Sequence, residues 1–369
     1  MIAELRVALL PGDGIGEEVI KAAQTVLQHV EMHLPRAALQ LDTYAAGAAH
    51  YQEAGVALPD ATLKACEQAD AILLGAMGMP DIRYSDGTEI SPQLDLRDHF
   101  QLFAGVRPIR AVPGLPLVLS DPRCAEIDMV LIREQTEGLF FGRGTTQIEQ
   151  GVAYDTMAIS ESGSRRISNY ALHLASRRGP RHGADRPRVT LVDKANVLGS
   201  MAFFRQVFLD VSQQYPSIST DCAYIDATAL NLVRKPWELD VMVTENQFGD
   251  ILSDLCAGLI GGMGMAPSAD IGDTHAMFQP AHGSAPDIAG MGIANPTATL
   301  LSAAMMYDWL GEKHAEPQLV QAGHLLREAV DSAYADGNLL PAEFGGNAAT
   351  DDIVQAVLGA IDTLVPQLP

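Results

Sequence analysis

Two aspartates stand four residues apart in Asn246-Gln-Phe-Gly-Asp250-Ile-Leu-Ser-Asp254. On a helix that spacing sends both carboxylates from one face, with Cβ atoms roughly 5–6 Å apart. Paired hard-oxygen ligands there suit Mg²⁺ or Mn²⁺, which take carboxylates and keep water for a substrate. Acids in a first turn also compensate the helix dipole, but Asp254 lies too deep for that to account for both. A third acid, Asp226, closes a strand-like run in Tyr-Ile-Asp226-Ala. Arg97, Arg107 and Arg133 sit beside strand ends and apolar residues, in a chain with 24 basic residues. A guanidinium fork donates two parallel hydrogen bonds to a carboxylate, so the set is suited to a dicarboxylate. The alternative for each is an ordinary surface ion pair with surplus acid. Lys194 comes just after an apolar run, in Val192-Asp-Lys194-Ala-Asn196. It is a candidate general base if burial or nearby cations depress it, or else a surface lysine with a snorkelling stem.

Two glycine-bearing segments are suited to close backbone approach. Pro11-Gly-Asp-Gly-Ile-Gly16 has GxGxG spacing rather than the GxGxxG of the dinucleotide fingerprint, and a tight strand–helix turn explains it equally well. His282-Gly-Ser-Ala-Pro-Asp287-Ile-Ala-Gly290, followed by Asn295-Pro-Thr, combines small residues with a carboxylate able to accept from ribose hydroxyls. An ordinary Gly/Pro-rich loop is the alternative.

The elements that must position these groups read as an α/β fold. Strand-like runs fall at Arg6–Leu10, Ala71–Leu74, Leu117–Leu119, Met129–Ile132, Val189–Val192 and Val241–Thr244. Helical patterns lie between most of them, at Glu17–His29, Ile167–Arg177 and Leu198–Tyr215, and the chain from Asn295 onward is mostly helical. That alternation predicts a largely parallel sheet with flanking helices. The 369 residues are 47% hydrophobic and carry a net charge of −22, which supports large cores and disfavours nucleic acid and anionic membranes as partners. The four cysteines (Cys66, Cys124, Cys222 and Cys256) are scattered, and the N-terminus shows no basic and apolar leader pattern, so a cytoplasmic location is expected.

The segments Leu10–Gly16, Gly105–Pro108, Asp193–Val197, Phe248–Asp254 and His282–Pro296, in this order, resemble the isocitrate/isopropylmalate dehydrogenase family of β-decarboxylating hydroxyacid dehydrogenases. Val192–Val197, Ala281–Gly290 and Leu301–Met306 look most like the isopropylmalate branch. The resemblance implies a two-domain isopropylmalate dehydrogenase-like α/β fold with a mixed sheet, not a Rossmann fold. Its first domain would take residues 1–102 and 256–369, and its second, carrying a dimer interface, 103–255. It further implies NAD and Mg²⁺ or Mn²⁺ as cofactors, and a homodimer with shared sites. Arg97, Arg107 and Arg133 would grip a malate core, and Asp250 and Asp254 would hold the metal with Asp226 of a second copy. Lys194 and Asp226 would assist proton removal. Ile15, Gly75, His282, Gly283, Ser284, Ala285, Asp287 and Asn295 would contact NAD, with Asp287 favouring a free 2′-hydroxyl over a 2′-phosphate.

Two departures bear on the reaction. Counting seven residues from Arg133, where the family has a proton-donating tyrosine, gives Phe140, which cannot donate. Turnover slowed by a substitute donor, a reaction that stops before decarboxylation, and a weakened dicarboxylate-binding relative are the resulting alternatives. In Thr88–Arg97, which the resemblance assigns to reading the substrate's variable group, the usual acid and two leucines are met by Ile90, Gln93 and Leu94, so the acid and the first leucine are lost. An unpaired buried amide costs on the order of 1–3 kcal/mol. D-malate, tartrate or a malate with a small or polar substituent therefore stands beside 3-isopropylmalate as the expected substrate.

Overall fold

The computed structural model describes residues 5–34 and 37–367. The first apolar run becomes β1 (Leu5–Gly12) and the amphipathic pattern after it α1 (Gly16–His33). There follow β2 (Leu39–Thr43), α2 (Ala48–Ala54), α3 (Asp60–Gln68), β3 (Ala71–Ala76) and α4 (Pro92–His99). Next come β4 (Ala104–Arg110), β5 (Asp128–Glu134), and the short antiparallel hairpin β6 (Gln147–Glu149) and β7 (Val152–Tyr154). A second alternating stretch runs α5 (Glu161–Arg178), β8 (Arg188–Asp193), α6 (Gly199–Ser212), β9 (Ser219–Tyr224), α7 (Ile225–Arg234), β10 (Val241–Thr244) and α8 (Asn246–Leu259). The chain closes with β11 (Pro267–Ile271), β12 (Ala276–Pro280), α9 (Thr297–His314), α10 (Pro317–Tyr334) and α11 (Thr350–Leu364).

Ten of these strands form one sheet in the order β2-β1-β3-β12-β11-β4-β5-β10-β8-β9. Six of its neighbouring pairs are parallel and three, β12–β11, β11–β4 and β4–β5, are antiparallel, so the sheet is mixed at its centre and parallel on both flanks. Covered faces explain why β3, β10, β11 and β12 are buried along their whole length. Among the covering elements α9 is itself nearly all core, burying Leu300, Ala303, Ala304, Met306, Tyr307 and Leu310.

One expected strand does not form. Leu117–Leu119 is irregular, with Leu117 and Val118 exposed, because Pro116 and Pro122 flank it and no strand among the described residues pairs with it. Asp226 likewise lies beyond its strand: β9 ends at Tyr224 and Asp226 occupies the first turn of α7. Among the described residues no helix is long and apolar enough to cross a membrane.

Candidate active site

Three elements deliver the arginines to one place. Arg107 comes from β4 and Arg133 from β5; the antiparallel register sets Gly105 opposite Arg133, and α4 brings Arg97 in above the strands. With Asp250 and Asp254 from α8, Gln93 from α4, and His282 and Gly283 from the loop after β12, they line a cavity of about 190 Å³. Gly249 is required here, since a Cβ on it would stand 2.7 Å from the side chain of Arg133.

The arginines are already engaged. Asp270, fully buried on β11, accepts from Arg97 Nε at 2.8 Å and Arg107 Nη1 at 3.2 Å. The amides of Gln135 and Gln279 donate to the same carboxylate at 2.9 and 2.7 Å. Burial raises the Asp270 carboxyl, but the charges of Arg97 and Arg107 more than offset it and hold it down at about 2. Arg133 donates from Nε to Asn246 Oδ1 at 2.8 Å and from Nη1 to Asp250. Burial pulls Arg133 down to about 10 and also lowers Arg107, yet both stay cationic at neutral pH. Asp254 is pushed up by burial and then by the neighbouring charge of Asp250, a pairing that a divalent cation would relieve. Two carboxylates one helical turn apart are a donor set that fits Mg²⁺ or Mn²⁺.

A larger cleft of about 960 Å³ adjoins this cavity and shares Arg97 and Arg133 with it. Leu94 and Phe140 line the larger cleft; Phe140 is 42% exposed, its ring centroid 5.7 Å from the Arg133 guanidinium carbon. Gln93 lines the smaller cavity, and its buried Oε1 has no hydrogen-bond partner among the described residues. Ile90 stays out of both: it is fully buried in an apolar cluster with Ala48 and Ala57. Lys194 Nζ donates to Asp226 Oδ1 at 2.8 Å, and neither residue lines either cavity. This bond from Lys194 lowers Asp226, whose side chain is 68% exposed.

The glycine turn proves to be a docking point. A Cβ on Gly12 would come within 1.9 Å of Ala76 O, and one on Gly14 within 2.0 Å of Ser284 O; both glycines also have positive φ. Gly75 meets the turn from the other side, where a Cβ would stand 2.5 Å from Pro11 O. Ile15 N donates to Ser284 O at 2.8 Å, and Ser284 Oγ bonds Gly78 O, which pins the loop 282–287 onto the turn. Asp13, buried inside the turn, accepts from the amides of Ala48, Ala49 and Gly78. His282 lines the small cavity with a buried Nε2 that has no partner among the described residues, while Gly283 and Asp287 are exposed and Ala285 adopts a positive φ of 37°. Asn295 is buried and accepts from Thr297 N at the start of α9. We predict that Gly14→Ala destabilises the fold by about 2 kcal/mol or more, because strain and a backbone clash coincide. Thermal unfolding checks it, and an unchanged midpoint would refute the packing role.

Sequence reasoning missed Asp270 and Asn246, which hold the arginines in place, and Gln135 and Gln279, which hold Asp270. The available signal was Asp270 itself, a lone acid inside the apolar run Pro267–Ile271, where an unpaired charge is too costly to leave unexplained.

Comparison with known proteins extends the likeness to the whole chain. The family model for isocitrate/isopropylmalate dehydrogenase matches residues 6–357. A 3-isopropylmalate dehydrogenase of Archaeoglobus fulgidus is 38% identical over 361 residues, covering 97% of this chain and 99% of that one. A homoisocitrate dehydrogenase of Methanocaldococcus jannaschii is 39% identical over 363 residues, covering 97% and 98%. Among solved structures, a beta-decarboxylating dehydrogenase from Thermococcus kodakarensis superimposes with a TM-score of 0.80 at 37% identity, over 98% of this chain and 97% of that one. The chain therefore belongs to the isocitrate/isopropylmalate dehydrogenase family and is a decarboxylating oxidoreductase.

Proposed function

We propose that the protein is an NAD-dependent, divalent-metal-dependent dehydrogenase that oxidises and decarboxylates a 2R-malate-type acid, either 3-isopropylmalate or another 3-substituted malate. The observation carrying this reading is the convergence of Arg97, Arg107 and Arg133 with the acid pair Asp250 and Asp254 in one cavity. The arginines orient the two carboxylates. Asp250 and Asp254, completed by Asp226 of a second copy, hold Mg²⁺ or Mn²⁺. Lys194 and Asp226 of the second copy, bonded to one another, assist removal of the proton from the substrate hydroxyl. When bound, the nicotinamide accepts the hydride and the metal supplies Lewis-acid stabilisation of the charge that builds as CO₂ leaves. Asp287, exposed on the loop against the glycine turn, favours NAD over NADP.

The sheet order supports the division into residues 1–102 with 256–369 and residues 103–255, since its first five strands come from the former and its last five from the latter. A homodimer built on the second domain is supported by its exposed apolar side chains. Ile148, Val152 and Tyr154 stand out on the β6–β7 hairpin, Leu230 and Val233 on α7, and Ile251 on α8.

Charge makes substrate and metal depend on one another. Three arginines face Asp250, Asp254 and Asp270, so these side chains balance by themselves; a divalent cation would leave them two charges positive, matching a dicarboxylate. We predict that D-malate, titrated calorimetrically without NAD, binds at least about tenfold more weakly with chelator than with Mg²⁺. Equal binding in both conditions would contradict the charge argument. The function itself is tested by NADH formation on 3-alkylmalates, D-malate, tartrate and isocitrate with Mn²⁺. Turnover on a malate-type acid is expected, and inactivity on all of them would defeat the reading. The unpartnered Gln93 Oε1 favours members of the panel with a hydroxyl or other donor at C3.

A second reading rests on Phe140, which puts an apolar ring in the cleft beside Arg133. If proton return limits the reaction, Phe140→Tyr raises CO₂ release relative to hydride transfer by about tenfold or more. Parallel measurement of NADH and CO₂ reads this, and an unchanged ratio would leave the phenylalanine as a tolerated variant.

A further inference from the structure

Far from these cavities, α1 and α11 lie side by side. Glu18 bonds Thr350 near the start of both helices, and His29 and His33 meet Asp362 near their ends. The two histidines are four residues apart on α1, so their rings leave one face, and their centroids are 5.0 Å apart in an edge-to-face arrangement. Both direct Nε2 at the same oxygen: His29 lies 2.8 Å and His33 3.2 Å from Asp362 Oδ1. The ligand atoms of all three side chains lie within 4.8 Å of one another.

Among the described residues this is the one group of three His, Cys, Asp or Glu side chains whose ligand atoms approach so closely. We propose that His29, His33 and Asp362 form a binding site for a transition-metal cation of the zinc class, which clamps the first helix to the last. Zinc takes nitrogen at about 2.0–2.1 Å and carboxylate oxygen at about 2.0–2.2 Å, so tetrahedral ligands stand roughly 3.4 Å apart. The two Nε2–Oδ1 separations are a few tenths of an ångström below that, and small side-chain rotations open the space. Each imidazole gives up its Nε2 proton and carries one on Nδ1 instead, which turns two donors toward the carboxylate into two metal ligands. The Asp362 side chain is 57% exposed, which leaves room for water at the fourth position. Two imidazoles with one carboxylate select Zn²⁺, Ni²⁺, Co²⁺ or Cu²⁺ over Mg²⁺, which sets this site apart from the all-carboxylate pair Asp250 and Asp254.

The test uses the full-length protein, stripped with chelator and dialysed, then titrated calorimetrically with Zn²⁺ in a millimolar excess of Mg²⁺ that occupies hard-oxygen sites. One Zn²⁺ per chain is expected, with a rise in the thermal midpoint. In His29→Gln/His33→Gln that binding weakens at least about tenfold and the midpoint shift disappears, while dehydrogenase activity without zinc is unchanged. Asp362→Asn, a milder change at an exposed position, gives the same loss. Co²⁺ gives a ligand-field absorption band in the wild type that both variants lack. Wild-type zinc affinity in the folded variants, or no Mg²⁺-resistant zinc binding by the wild type, would overturn the proposal.

Discussion

Coexpressing Lys194→Met with Asp250→Asn restores about a quarter of wild-type activity, although each variant alone is reduced by about 10² to 10⁴. The expectation follows from where the structure puts the two sets of groups. Arg97, Arg107, Arg133, Asp250 and Asp254 share a cavity, whereas Lys194 and Asp226 are bonded to one another outside it. On the proposed function, a base that lines neither cavity of its own chain is supplied by a second copy. In a two-fold dimer each site then takes Lys194 from one subunit and Asp250 from the other. A mixed dimer places both lesions in one site and leaves the other intact, and half of randomly assembled dimers are mixed. Separately tagged subunits allow the mixed species to be isolated and assayed. If it is as inactive as its parents, each chain works alone and Lys194 is not shared between subunits.

The sequence was most readable where local pattern and chemistry coincide. Asp250 and Asp254 fall on one helix face because their spacing matches the helical period, and α8 does form over them. The strands β1, β3, β5, β8 and β10 were visible as apolar runs bounded by turn residues. Leu117–Leu119 has the same local look but no partner strand, and pairing is a tertiary property that no short run encodes. The glycines of Pro11–Gly16 illustrate a second limit. Their spacing revealed a tight turn, yet what demands Gly12 and Gly14 is the approach of Ala76 and Ser284, the latter some 270 residues away. Ile90 shows a third, for a position three residues before Gln93 packs into an apolar cluster instead of the cavity.

The arginines show most plainly what sequence could not supply. Read from charge alone, three cations in a chain of net charge −22 have to draw in a dianion by themselves. In the structure each already gives one donor to Asp270 or Asp250, so on the proposed function the net attraction comes from the added metal. The family likeness in sequence marked the arginines and left out the carboxylate that holds two of them, because Asp270 lies 163 residues from Arg107 in an apolar strand.

Asp270→Asn is accordingly expected to lower stability at pH 7 by about 3–5 kcal/mol, since it leaves Arg97 and Arg107 charged, buried and without their counter-ion. The same carboxylate predicts a pH dependence whose sign is fixed. Its folded value, about 2, lies below its ordinary 3.8. Its stabilisation is therefore complete above about pH 4 and is lost as pH falls toward 2, to the extent of roughly 2 kcal/mol. Thermal unfolding at stepped pH reads both effects: the wild type loses stability across that window more steeply than the variant, which has no charge there to titrate. The variant's binding changes in the opposite direction from its stability. With Asp270 neutral the remaining side chains carry one net positive charge, so D-malate binds with less help from Mg²⁺ and the chelator effect shrinks. A merely structural aspartate would move the unfolding midpoint and leave that metal dependence as it was. If the variant unfolds at the wild-type temperature, or needs metal as much as before, then Asp270 does not balance the arginines and their attraction for a dianion is their own.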